Sequence, residues 1–197
     1  IFLNTDEKTS TPPSIYVGAS APRTREITGE LADGWIPYVH TLSNYEKLLK
    51  DIINGTKKSG RKISDLDLVA NVPILITKNE NDERRKKIGR SLSIRLLLEG
   101  NTLKDLGWNE EIPEEFSQSK MIVDESMSKK LEQMADKIPS EITEQIAAIG
   151  QPSEIIEVLE NYKKMGAKHF VIKFLGQPTT EDLKKFNSEI IQVMKNA

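Results

Sequence analysis

Four short runs in this chain are apolar on both faces, and that pattern commits it to a sheet covered on both sides. They are Ser14 to Gly18 (SIYVG), Asp33 to Val39 (DGWIPYV), Leu68 to Thr77 (LVANVPILIT) and His169 to Leu175 (HFVIKFL). A strand with one wet face alternates apolar and polar residues, whereas a parallel strand lying between helical layers does not. Pro37 and Pro73 each remove a ladder donor, so a bulge or a strand end is expected near them.

Amphipathic helical patterns separate the runs. Ser43 to Lys58 places Tyr45, Leu48, Leu49, Ile52 and Ile53 on one face, and Gly60 lies beyond its end. Pro152 to Met165 starts Pro-Ser-Glu, carries Ile155, Ile156, Leu159 and Tyr162, and stops at Gly166. Thr179 to Asn196 opens with a capping-box spacing, Thr179 to Asp182, and is expected to bury Leu183, Phe186, Ile190 and Met194. Residues 79–149 break the rhythm with three helical stripes, the last through Ile142, Ile146 and Ile149, around a turn from Trp108 to Pro113. The expectation is an α/β fold in one partial domain, 1–197. It holds about four parallel strands, half of a (β/α)8 TIM barrel, with 79–149 forming a crossover helix plus a helical insertion before the last strand. A full barrel needs about 250 residues, and a half-barrel leaves two unpaired edges. The chain starts at Ile1 and is therefore read as processed or preceded by further residues, and as pairing with a missing N-terminal half or forming a homo-oligomer.

Composition narrows the function classes. With 28 Lys and Arg against 30 Asp and Glu, the net charge of -2 gives no reason to expect nucleic acid or an anionic membrane as partner. No apolar run has the length of a membrane span. The absence of cysteine excludes disulfides, thiolate ligands and a cysteine nucleophile, and suits the cytoplasm. The two histidines are not spaced as a ligand pair, so no metal is expected, and no catalytic triad or paired-carboxylate motif is present.

Chemistry concentrates after the first run. Gly18, Ala19, Ser20 and Ala21 carry almost no side chain, and Pro22 stands where a helix over Thr24 to Ala32 begins. Backbone N–H groups there can approach a ligand closely, and the positive end of the helix faces the same point. This suits a phosphate. A tight strand–helix turn that needs small residues only for packing would read the same way.

The run Pro13 to Pro22 (PSIYVGASAP), followed by Gly29-Glu30-Leu31-Ala32-Asp33-Gly34-Trp35, resembles the P-x-Y-V-G/A-A-x-G-P … G-x-x-A-D-G signature of the bacterial luciferase-like superfamily. That group includes coenzyme F-420-dependent reductases and FMN-dependent monooxygenases. Gly150-Gln151-Pro152-Ser153-Glu154, then Tyr162, then Gly166 to Phe170 resembles the family's G-x-P-x-E … Y-x-x-x-G-A-x-H-F segment. The resemblance implies a flavin- or deazaflavin-dependent oxidoreductase. It would move a hydride between F-420 (8-hydroxy-5-deazaflavin) or FMN and a small-molecule substrate, with the phosphate-bearing tail on the amides of Gly18 to Ala21. The family often has a second glycine where this chain has Ala21.

Other positions stay open at this stage. Arg23 can neutralise a phosphate or be solvated. Tyr38 and His40 follow the second strand, at the rim where the tail would lie, and His40 reads equally as an exposed loop histidine. His169 opens the last strand, at the opposite rim, and reads as structural. Trp35 is expected in the core with a partner for its N–H. Catalytic residues are not identifiable. The competing reading is a non-catalytic half-barrel that folds and oligomerises without cofactor. A phosphate- or sugar-phosphate-binding barrel of another lineage would share the loop but not the Gly150 to Phe170 match.

Overall fold

The computed structural model describes residues 12–38, 41–98, 101–116 and 124–196. Among these, the strands are β1 (Tyr16–Val17), β2 (Gly34–Trp35), β3 (Asp67–Ile76), β4 (Ala148–Gly150) and β5 (His169–Phe174), and every pairing is parallel. Helix α1 (Pro22–Leu31) follows β1, and α2 (Leu42–Lys58) follows β2. The long stretch after β3 holds α3 (Glu83–Leu98), α4 (Asn101–Asp105), α5 (Glu125–Ala135) and α6 (Ser140–Thr143). Helix α7 (Pro152–Lys164) joins β4 to β5. The chain then runs through α8 (Thr180–Lys185), a π-helical turn (Phe186–Ile191) and α9 (Gln192–Asn196).

Strand β3 serves three neighbours. The amides of Asp67 and Thr77 donate to the carbonyls of Asp33 and Gly150 at 2.9 and 2.8 Å, whereas the carbonyls of Leu68 and Ile74 accept from Lys168 and Leu175 at 2.9 and 2.8 Å. Successive residues of a strand turn their backbone groups to opposite edges. Odd-numbered residues therefore serve β2 and then β4 along one edge, and even-numbered ones serve β5 along the other. Pro73 is odd. It falls between the β2 ladder, which ends at Leu68, and the β4 ladder, which begins at Ile74, so its missing N–H costs no sheet bond. Pro37 lies just past the end of β2.

Side chains alternate in the perpendicular direction. Leu68, Ala70, Val72 and Ile74 face the helical layer and pack with Trp35, Tyr45, Ile52, Ile155 and Leu159. Leu75 faces the other way, into a second apolar cluster with Leu92, Leu96, Trp108 and Phe116 of the insertion. Some expectations need correction. β5, expected to be covered on both faces, leaves His169, Val171 and Lys173 exposed along one of them. Ile149 is not helical; it is the middle of β4, the strand absent from the sequence reading. Leu183 is half exposed rather than buried, because the π turn inserts extra arc between it and Ile190, and a spacing of seven no longer keeps one face. Trp35 is fully buried against Tyr45, with ring centres 5.0 Å apart, but its Nε1 has no hydrogen-bond partner among the described residues.

Helix α1 is inside out. Arg25 and Thr28 are buried, while Ile27 and Leu31 are exposed. The buried face meets α2 at two glycines: a Cβ on Gly29 would stand 2.1 Å from the Ile52 carbonyl oxygen, and one on Gly55 would stand 1.9 Å from that of Glu26. Helix propensity alone makes Gly55→Ala stabilising by about 1 kcal/mol. The backbone contact reverses the sign, and we expect a net loss of about 1–3 kcal/mol in urea unfolding. A variant with a raised midpoint would show that the two helices do not meet at these glycines.

Candidate cofactor-binding rim

A parallel sheet places the C-terminal ends of its strands on one side, so the Gly18–Ala21 loop, Tyr38, Thr77, Gly150 and Gly176 share that rim. The loop owes its form to what its residues lack. Ala19 tucks its methyl group into the core, while Gly18, Ser20 and Ala21 remain exposed. Helix α1 begins at Pro22 with no side-chain cap and no acidic residue in its first turn. Among the described residues, the amides of Ala19, Ser20 and Ala21 donate to no acceptor. Open N–H groups at an uncapped helix start, with no carboxylate beside them, form an anion-compatible edge.

The sequence-derived candidates fare unequally around this edge. Gly18, Ala19, Ser20 and Ala21 form the loop itself. Tyr38 is exposed at the end of β2, and the guanidinium of Arg95 on α3 stands 4.6 Å from its ring centre, which brings the insertion over this part of the rim. Arg23 turns along the outer surface of α1, its Nη1 donating to Glu26 at 2.9 Å and to Glu30 at 3.4 Å, so its charge is taken up within the helix. His40 lies outside the described residues. Arg25, which sequence reasoning passed over, is buried behind the loop. Its Nη1 donates to the Ser20 carbonyl, and its Nε and Nη2 donate to Asp51 of α2 at 2.9 and 2.7 Å. The signal available in sequence was the lack of an apolar stripe on α1.

The opposite ends of the strands carry a second polar group. Tyr16 Oη donates to Asp67 Oδ2 at 2.5 Å, and His169 Nδ1 contacts the same oxygen. Tyr16 crosses Gly34 to do so; a Cβ there would stand 2.4 Å from its ring. Hydrogen bonding to the Asp67 carboxylate raises the Tyr16 phenol above its ordinary range, reinforced by burial and by the charges of Asp67 and Asp33. His169 thus ties β5 to β3 at the end away from the rim.

At the rim itself, Arg84 joins the end of β3 to the start of α8. Its Nη2 donates to the Ile76 carbonyl at 2.7 Å and to Asp82 at 2.9 Å, and its Nη1 donates to Asp182 at 3.0 Å. These groups line a cavity of about 540 Å³ together with Thr77, Lys78 and Lys185. Among the described residues, no cluster of metal-ligating side chains occurs and no helix is long and apolar enough to cross a membrane.

The fold and this rim define the class: a parallel α/β half-barrel with an anion-compatible loop at the C-terminal ends of its strands. The family described as luciferase-like monooxygenase matches residues 2–169, and the chain belongs to that family. It is 24% identical over 163 residues to the phthiodiolone/phenolphthiodiolone dimycocerosates ketoreductase of Mycobacterium tuberculosis, covering 81% of this chain and 43% of that protein. It is 23% identical over 203 residues to the F420-dependent glucose-6-phosphate dehydrogenase of Nakamurella multipartita, covering 96% of this chain and 52% of that one. The coenzyme F420-dependent tetrahydromethanopterin reductase of Methanopyrus kandleri shares the fold, with a TM-score of 0.71 at 17% identity over 91% of this chain and 50% of that one. The chain therefore spans about half the length of the curated relatives it matches.

The Arg84 junction generates a pH prediction. Hydrogen bonding from Arg84 holds the Asp82 carboxyl at about 2. Burial opposes ionisation of Asp182, but hydrogen bonds from Thr179 and Arg84 keep its carboxyl below the usual range. Both groups are lowered in the folded state, so their contribution is present above the ordinary carboxylate pKa and is lost as pH falls from about 4 towards about 2. Melting temperature recorded across that window should fall less steeply in Asp82→Asn than in the wild type. Superimposable profiles would remove the junction as a source of acid sensitivity.

Proposed function

We propose that this chain supplies the cofactor-tail half of the site of an oxidoreductase using coenzyme F-420 or FMN, acting on a small organic substrate. The observation that carries the reading is the group of open amides on Ala19, Ser20 and Ala21, in a loop of small residues, in a chain of this family. The residues fit such a group. The phosphate of either cofactor would accept from these amides, the uncapped start of α1 adds favourable partial charge, and Tyr38 would flank the tail. When bound, the cofactor ring carries the hydride, while the protein holds and orients it. F-420 is the preferred reading, supported by the F420-dependent relatives named above, and the cytoplasm is the proposed compartment.

Completion of the barrel is part of the same proposal. Among the described residues, β1 pairs only with β2, and β5 pairs only with β3. Exposed apolar side chains occur just before β1 (Ile15), on the helix that follows it (Ile27 and Leu31), on β5 (Val171) and on α8 (Leu183). Covering by the rest of a barrel or by a second copy of the chain would bury them. The same observation favours the second reading, a half-barrel that associates but binds no cofactor.

Anaerobic titration with FMN and, separately, F-420, followed by fluorescence, decides between the two. Ser20→Asp would set a carboxylate against the phosphate and weaken binding on the order of tenfold to a hundredfold. Equal affinity in wild type and variant would remove the loop from the site. Light scattering should show association of the isolated chain; a clean monomer that binds little hydrophobic dye would contradict the open-edge argument.

A further inference from the structure

Arg25 occupies a place where a lone guanidinium would be costly, since it is only 5% exposed. Its donors are taken up by Asp51 Oδ2, through Nε and Nη2, and by the Ser20 carbonyl, through Nη1. A helical side chain leans back towards the N-terminus of its helix, which is why a residue in the first turn of α1 reaches the loop that precedes it. Asp51 lies on α2, and the two helices meet at Gly29 and Gly55, so backbone contact rather than side-chain reach sets the distance the guanidinium spans. The loop's own side chains are too small to anchor it. Only Ala19 is buried there.

Fixing one carbonyl fixes the amide that follows. In a trans peptide the N–H points opposite to the C=O, and no cis bond is present among the described residues. With the Ser20 carbonyl drawn back towards α1 and α2, the Ala21 N–H is turned the other way, to the open side of the rim, where it meets no acceptor. We propose that Arg25 is a positioning residue. Through the Ser20 carbonyl it presets the Ala21 amide towards an anionic tail, while Asp51 takes up the charge so that Arg25 does not itself contact the anion. The inference rests on the reading of the loop as the cofactor-tail site. The role differs from the one the sequence suggested for Arg23, which was to neutralise the phosphate directly.

The test compares FMN with riboflavin, which lacks only the phosphate. The wild-type chain should prefer FMN by about tenfold or more, the worth of one or two hydrogen bonds to a charged group. In Arg25→Met combined with Asp51→Leu, which leaves no unpaired buried charge, that preference should fall towards one while riboflavin binding changes less than twofold. The heteronuclear NOE of the Ser20 and Ala21 amides should drop in the same protein. Arg25→Lys covers the case in which the double variant does not fold: it keeps a charge for Asp51 but lacks the planar fork, so the preference should still fall by at least about threefold. A role confined to tying α1 to α2 would be rescued by Lys, or would lower both affinities together. A preference for FMN undiminished in folded variants overturns the proposal. A wild-type chain that fails to rank FMN above riboflavin, including one that binds neither, overturns the tail-site reading, and loop order in the variants then reports separately on the clamp.

Discussion

The allocation of β3's backbone groups governs most of what this chain presents at its rim. One edge goes to β5 along its length. The other is divided between β2 at the start and β4 at the end, with Pro73 in the interval. Because all these ladders are parallel, each strand delivers its following loop to the same side, and the anion-compatible loop after β1 comes to share a rim with Tyr38 and the Arg84 junction. An antiparallel partner anywhere in this sheet would have sent one of those loops to the far end, beside Tyr16, Asp67 and His169.

Helix α1 shows how packing and chemistry constrain each other. An ordinary surface helix buries an apolar stripe. Here the buried face carries Arg25, Thr28 and Gly29, and the apolar residues Ile27 and Leu31 look outward. Close approach at the two glycines shields Arg25 from water, which makes its pairing with Asp51 obligatory and leaves Nη1 for the Ser20 carbonyl. The small loop residues bring open amides to the surface at the cost of any side-chain anchor, and the guanidinium behind them replaces that anchor.

Where each element was legible depended on whether its signal was local. The both-faces-apolar runs found β1, β2, β3 and β5, and the Pro152 start and Thr179 capping box found α7 and α8, because these features depend on neighbours in sequence. The sequence-drawn limits of β1 and β2 were too long: each strand is only two residues, since ladder bonding ends once the chain turns into the rim loop. β4 was invisible, because Ala148-Ile149-Gly150 is too short for periodicity and pairs only where β2 has ended. The loop Gly18 to Ala21 was legible from side-chain size, whereas the choice between Arg23 and Arg25 was not. Two residues apart on a helix, they face different sides, and only the crossing with α2 decides which one is buried.

The distribution of exposed apolar residues bears on how the rim and the sheet edges are linked. Ile27 and Leu31 lie on the same ten-residue helix whose first turn bounds the anion-compatible loop. Whatever covers those side chains bears directly on α1, and through Arg25 on the Ser20 carbonyl. The β1 edge is thus joined to the loop by a ten-residue helix as well as by the two-residue β1 ladder. At the other edge, Val171 belongs to β5 itself, a strand tied to β3 by a six-residue ladder and the Asp67–His169 contact, and Leu183 belongs to α8. Of the two open edges, the one beside β1 is the edge with a route, through α1 and Arg25, to the Ser20 carbonyl.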